Sequence, residues 1–115
     1  MTEKTIFHRI ISKEIPAVIL YEDDKALVFK DVKPVSPIHF LVVPKIDLVN
    51  LVEAEEKHEA ILGHLLYIAS KVAAEQGLSY SGYRVVINNG ASVNQTVFQL
   101  HLHVMGGRDF TWPPG

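Results

Sequence analysis

Apolar residues recur along this chain with two different periods, and each change of period marks a new element. Ile6, Phe7, Ile10 and Ile11 fall at helical spacing and predict a short helix over Thr5 to Ile11. Ile15-Pro16 then stops regular structure, since the residue before a proline is pushed out of the helical region. Val18 to Tyr21 and Ala26 to Lys30 read as strands. The polar turn Glu22-Asp23-Asp24-Lys25 between them predicts a hairpin. Pro34 and Pro37 keep the next stretch a loop, and His39 to Val43 is a third strand ended by Pro44. Its alternation sets His39, Leu41 and Val43 on one face.

From about Ala54 to Gln76 the period becomes helical. Ile61, Leu65, Ile68 and Val72 form a stripe, with Leu62, Leu66, Ala69 and Ala73 alongside. Glu53, Glu55 and Glu56 suit the start of that helix, where its dipole favours negative charge, and Gly77 suits its end. His58 and His64 lie six positions apart, on different faces, and read as solvated surface residues. Tyr83 to Asn88 is a fourth strand and Ala91 to Thr96 a polar loop. Phe98 to Met105 is a fifth strand, closed by Gly106-Gly107. The order helix, hairpin, strand, long helix, two strands predicts an α+β fold. Its sheet is five-stranded and antiparallel, with the long helix packed on one face.

The fifth strand carries the chemistry. Period two turns Leu100, Leu102 and Val104 to one face and Gln99, His101 and His103 to the other. Neighbouring imidazoles on that row stand roughly 7 Å apart at their Cα atoms. Three readings fit the row: a solvated sheet face, a metal pair, or a nucleophilic imidazole with a second one to manage protons. A metal would need further ligands, and the chain has no cysteine and no acidic residue in or beside this strand. Elsewhere, Asp31 and Asn88 read as turn-shaping residues. Gln95 and Thr96 offer donors for phosphate oxygens just ahead of the histidines.

Composition narrows the class. The 115 residues suffice for one domain with one core, and the hydrophobic (48%) and charged (21%) fractions are those of a globular protein. A net charge of −2 with no basic cluster argues against a nucleic-acid surface. The absence of cysteine excludes disulfides and thiolate chemistry and fits a reducing compartment. No apolar run reaches the ~20 residues of a membrane span, and no signal-peptide core opens the chain, so a cytoplasmic protein without membrane partners is expected.

Gln99-Leu-His101-Leu-His103-Val-Met resembles the histidine triad (HIT) signature, His-φ-His-φ-His-φ-φ with φ apolar, except that Gln99 replaces the first histidine. Asn88, Gln95-Thr96, Gly106-Gly107-Arg108 and the ending Trp112-Pro-Pro-Gly115 are similar to the Hint branch of that family, the nucleoside phosphoramidate hydrolases. The resemblance implies the same α+β fold and a single domain over residues 1–115. It implies a homodimer in which the tail 108–115 reaches the partner's site, bringing Trp112 with it. It further implies a purine nucleotide or nucleoside phosphoramidate as ligand, cleaved at the P–N bond without a metal or other cofactor. His101 would be the nucleophile, and His103 and His39 would stabilise phosphoryl charge and move protons. Thr96 would bond the phosphate or the departing amine, and Asp31 the ribose. Phe7, Ile10, Ile15 and Phe29 would line the base pocket, with Asn88, Gln95 and Thr96 completing the nucleotide contacts. Gln99 keeps the backbone carbonyl that orients the nucleophile but cannot shuttle a proton, so an active enzyme slower than full-triad relatives is expected. The alternatives are a nucleotide-binding regulatory protein with weak or lost catalysis, a dinucleoside polyphosphate hydrolase of the Fhit kind, and a metalloprotein using His39, His101 and His103.

Overall fold

The computed structural model describes residues 4–115. Five strands form one sheet: β1 (Ile19–Glu22), β2 (Ala26–Lys30), β3 (Ile38–Pro44), β4 (Tyr83–Val86) and β5 (Leu102–Gly106). Their spatial order is β1-β2-β3-β5-β4, and every neighbouring pair is antiparallel. The α+β expectation holds. Two helices cover the sheet, α1 (Ile6–Ile11) and α2 (Glu59–Glu75).

The α2 face is the dry one. Leu65, Ile68, Ala69, Val72 and Ala73 pack on Val28, Phe40, Val42, Leu102 and Val104, all at most 1% exposed. Leu66, expected beside the stripe, is 54% exposed instead. Six residues of the anticipated helix lie outside it, Gln76 at its end and five at its start. Ala54 and Glu55 adopt extended backbone, which divides residues 51–58 into two single 3-10 turns. Asn50 caps the first of these, its Oδ1 accepting from the Val52 amide. Of the acids near this end, only Glu59 sits in the first turn of α2.

One residue expected on the surface, His64, instead helps lock this layer together. Asp23 Oδ1 accepts from the Lys25 and Ala26 amides and so shapes the β1–β2 turn. Its Oδ2 accepts from Tyr21 and pairs with Nε2 of His64 at 2.7 Å, tying the hairpin to α2. Burial pushes the Asp23 carboxyl up, but its bonds to Lys25, His64, Tyr21 and Ala26 outweigh that and hold it down to about 2. His58 accepts the Glu55 amide at Nδ1.

The opposite face carries a second apolar cluster of Phe7, Ile10, Leu27, Phe29, Leu41 and Val43. Helix α1 supplies the first two. Thr5 starts it with a reciprocal cap: its hydroxyl accepts the His8 amide while His8 Nδ1 accepts the Thr5 amide. Of the predicted stripe, Phe7 and Ile10 are buried while Ile6 stays 50% exposed. A helix of six residues covers only part of a sheet face, and the remainder is a cleft.

Strand boundaries also shift. β5 begins at Leu102, not Phe98. Continuing the register Val42↔Leu102 would set Leu100 against Pro44, which has no N–H to donate. The Leu100 amide bonds the Leu48 carbonyl instead, at 2.7 Å. β4 ends at Val86 rather than Asn88. Beyond it Asn89 bonds the Ile87 carbonyl and accepts the Leu51 amide, turning the chain away before Gly90 at φ +117°.

Candidate active site

β5 places Leu102 and Val104 in the α2 core and His103 on the other face, with His101 just ahead of the strand on that same side. The β3–β5 ladder pairs Leu41 with His103 and His39 with Met105, which brings His39 beside the row. The ring centroids of His101 and His103 are 4.9 Å apart, those of His39 and His103 5.2 Å. Phe7 stands edge-on to His101 at 4.9 Å.

Hydrogen bonds assign the protons. The Val35 amide donates to His39 Nδ1 at 3.1 Å, so the ring proton of neutral His39 sits on Nε2. That nitrogen is 3.0 Å from His103 Nδ1, which must then accept, leaving the His103 proton on Nε2. His101 Nδ1 is 2.7 Å from the Gln99 carbonyl and must donate to it. The His101 Nε2 lone pair is therefore free. One backbone amide and one backbone carbonyl thus fix three imidazoles in defined tautomers.

All three rings are kept neutral. Burial, with the neighbouring His101 and His39, pushes His103 down to about 4. Burial lowers His101 as well, opposed by its bond to the Gln99 carbonyl. His39 is lowered by burial and partly restored by Asp31, whose Oδ2 lies 3.4 Å from His39 Nε2. The other Asp31 oxygen accepts the Lys33 amide. A neutral imidazole with a bare nitrogen is a competent nucleophile at neutral pH.

The cleft in front of these rings has a volume of about 260 Å³. Phe7, Ile10, Ile15 and Phe29 form apolar wall, and Lys30, Asp31, Thr96, His101 and His103 supply its polar groups. Eight of the anticipated residues are thus brought together, while His39 stands behind His103 and Gln99 is buried beneath the row. Leu41, Val97, Pro16 and Ala17 line the cleft without having been singled out. Leu41 shares the alternation of His39 and was legible, whereas Val97 and the Pro16-Ala17 turn carry no comparable signal.

Asn88, Gln95 and Trp112 do not line this cleft. Gln95 corrects an expectation. It is 2% exposed, with Nε2 donating to the Val49 and Val97 carbonyls and Oε1 accepting from Asn50 and the Gly90 amide. Its backbone amide bonds the Gly90 carbonyl, so every donor it was expected to offer phosphate is spent on shaping the loop before Thr96. Asn88 is half-buried next to Asn89, which does the turn-shaping. Trp112 is 83% exposed, on a tail held by Phe110 stacked 4.0 Å over the Arg108 guanidinium and by Arg84 bonding the Thr111 carbonyl.

Tertiary structure also brings an acid to the histidines, which the strand itself lacks. Asp31, His39 and His103 each present one ligand atom within 4.8 Å of the others, and two imidazoles with a carboxylate are a zinc-type donor set. The proton pattern opposes it. His39 Nδ1 already spends its lone pair on the Val35 amide, so metal at Nε2 would require the ring to lose its last proton. The three groups fit a hydrogen-bonded relay better than an ion.

The HIT domain family matches residues 12–110. This chain belongs to the HIT family. A 14 kDa zinc-binding protein of Zea mays is 52% identical over 113 residues, spanning 96% of this chain and 88% of that one. Among solved structures, a HIT family hydrolase from Legionella pneumophila superposes with a TM-score of 0.95 at 38% identity, over 97% of this chain and 100% of that one. A histidine triad nucleotide-binding protein from Candida albicans gives 0.81 at 29%, over 96% and 83%. In this HIT protein no helix among the described residues is long and apolar enough to cross a membrane.

Proposed function

We propose that this HIT protein is a metal-independent hydrolase of purine nucleoside phosphoramidates. The bare Nε2 of His101, secured by the 2.7 Å bond from Nδ1 to the Gln99 carbonyl, carries the reading. His101 Nε2 attacks the α-phosphorus in line and the P–N bond breaks. The amine leaves with a proton taken from solvent, which the second step returns, and is hydrogen-bonded by the Thr96 hydroxyl. A nucleotidyl-histidine remains, and water attacks its phosphorus to release the nucleoside monophosphate and restore His101. His103, with its proton directed to Nε2 by His39, bonds the phosphoryl oxygens as charge develops. Asp31 accepts from the ribose hydroxyls. The base lies among Phe7, Ile10, Ile15 and Phe29. The nucleotide-binding and hydrolase names of the two structural relatives support this substrate class. The reading includes a homodimer, supported by the tail: an indole 83% exposed on a segment pinned at Arg84 and Arg108 suits insertion into a partner's cleft.

The test is turnover, in chelator, of an adenosine phosphoramidate bearing a fluorescent amine, by the parent and by His101→Ala. Turnover in the parent alone is expected. Activity surviving in His101→Ala would remove His101 as nucleophile. Loss of parent activity on chelation, with stoichiometric zinc in the purified protein, would instead favour the metal reading that the zinc-binding name of the maize relative raises. Nucleotide binding with no turnover in either chain would favour a binding protein.

A further inference from the structure

Gln99 stands where the HIT signature has a histidine, and it is 1% exposed. Its side chain does not line the cleft. The Nε2 atom donates both of its protons, to the Pro44 carbonyl at 3.2 Å and the Ile46 carbonyl at 2.7 Å. Those carbonyls lie at the end of β3 and just after it, where the β3–β5 ladder has stopped. The amide therefore links the two chain segments at the point where backbone rungs run out. The same residue's backbone oxygen receives the His101 Nδ1 proton.

We infer that the Gln99 side chain is a positioning residue: by clamping the Pro44 and Ile46 carbonyls it immobilises the peptide whose oxygen holds His101 in its Nδ1–H tautomer. Glutamine here is an adaptation of the site, and not a damaged triad. A primary amide carries two N–H groups on one nitrogen, and two carbonyls converge on that atom. A neutral imidazole has one N–H, so histidine at this position leaves one carbonyl without that donor. A protonated imidazole has two, but on separate ring nitrogens that point apart. Glutamate has none and sets a negative charge against two carbonyl oxygens. The consequence reverses the expectation from the signature: restoring the histidine slows the chain.

The rate arm of the test rests on the hydrolase reading, and the spectroscopic arm does not. In the full chain, Gln99→His and Gln99→Met are compared with the parent for kcat and KM on the same phosphoramidate. Imidazole 15N shifts report the His101 tautomer. Both variants are expected to lower kcat about ten- to a hundredfold, as for a misplaced reacting group, with KM within about twofold. The His101 signals should move from an Nδ1–H pattern to a mixture of tautomers. Gln99→His turning over as fast as the parent or faster, with the tautomer unchanged, overturns the inference. Should neither variant fold, the parent still decides. Both Gln99 side-chain amide protons should be strongly protected from solvent exchange, and exchange at the rate of a free glutamine amide overturns the clamp. A parent without turnover sinks the hydrolase reading, while the tautomer and exchange measurements still test Gln99.

Discussion

The two faces of this sheet are built from the same strands and serve opposite ends. On the α2 face, alternate residues such as Val28, Val42, Leu102 and Val104 are fully dry and meet a helix of 17 residues. On the α1 face, the residues between them include Leu41, His39, His101 and His103, and the covering helix has six residues. A long amphipathic helix leaves no space, and burial there stabilises at about 25 cal/mol per Å² of apolar area. A short helix leaves a cleft, and the imidazoles in it are partly desolvated without being sealed away. Desolvation keeps them neutral, and access lets them react. Stability is concentrated on one side of the sheet and chemistry on the other.

The division can be broken most strongly at His101. Replacement by alanine should remove phosphoramidate turnover by about 10⁴-fold or more, as for other essential nucleophiles. The same change should lower unfolding free energy by no more than about 1–2 kcal/mol, measured by urea titration. Leu102→Ala, one residue away on the other face, should do the converse. It should cost about 2–5 kcal/mol of stability, while kcat of the folded fraction stays within about threefold. A Leu102 variant that keeps its stability and loses its rate would contradict the division.

Asp23→Asn tests the lock between the hairpin and α2. Charge-assisted bonds from His64 and Tyr21 would be weakened, for an expected loss of about 1–3 kcal/mol and no change in KM.

The smallest effects are those of pH. His103, held down to about 4 from 6.5, stays unprotonated in the folded chain where the unfolded chain binds a proton. Stability from this group is complete above about pH 6.5 and declines as pH falls from there towards 4. Asp23, held down to about 2 from 3.8, adds a second loss that begins only below its ordinary carboxylate value. The rate should be flat through neutral pH, with its acid limb below 6.5, because burial lowers His101 too. An acid limb centred above 6.5 would show that His101 is not the desolvated group described here.

Much of this was legible beforehand. Alternation in β3 and β5 separated the core residues from the histidines, and the Ile61–Val72 stripe found α2 because a helix face buried on a sheet must repeat its apolar residues. Where reading failed, the cause was a contact between distant segments. Nothing near Asp23 announces His64, 41 residues away, as its partner. Gln95 looks like a free donor until Asn50, Val49 and Gly90 are folded around it. Phe98 to His101 has strand-like composition, yet the proline that denies it a partner lies on β3.

Sequence alone determined the architecture, the row of imidazoles and which side of β5 they occupy, because these depend on local period and on the number of apolar residues available to each face. Tertiary structure decided the chemistry of that row. The tautomers depend on the Val35 amide and the Gln99 carbonyl, the acid beside His39 arrives from a loop before β3, and the two carbonyls that engage Gln99 come from the far end of that strand and just beyond it. Proton positions are set by hydrogen-bond partners in space: the family signature pointed to the Gln99 carbonyl, but the Val35 amide is the same group in every residue and no residue name along the chain could reveal it.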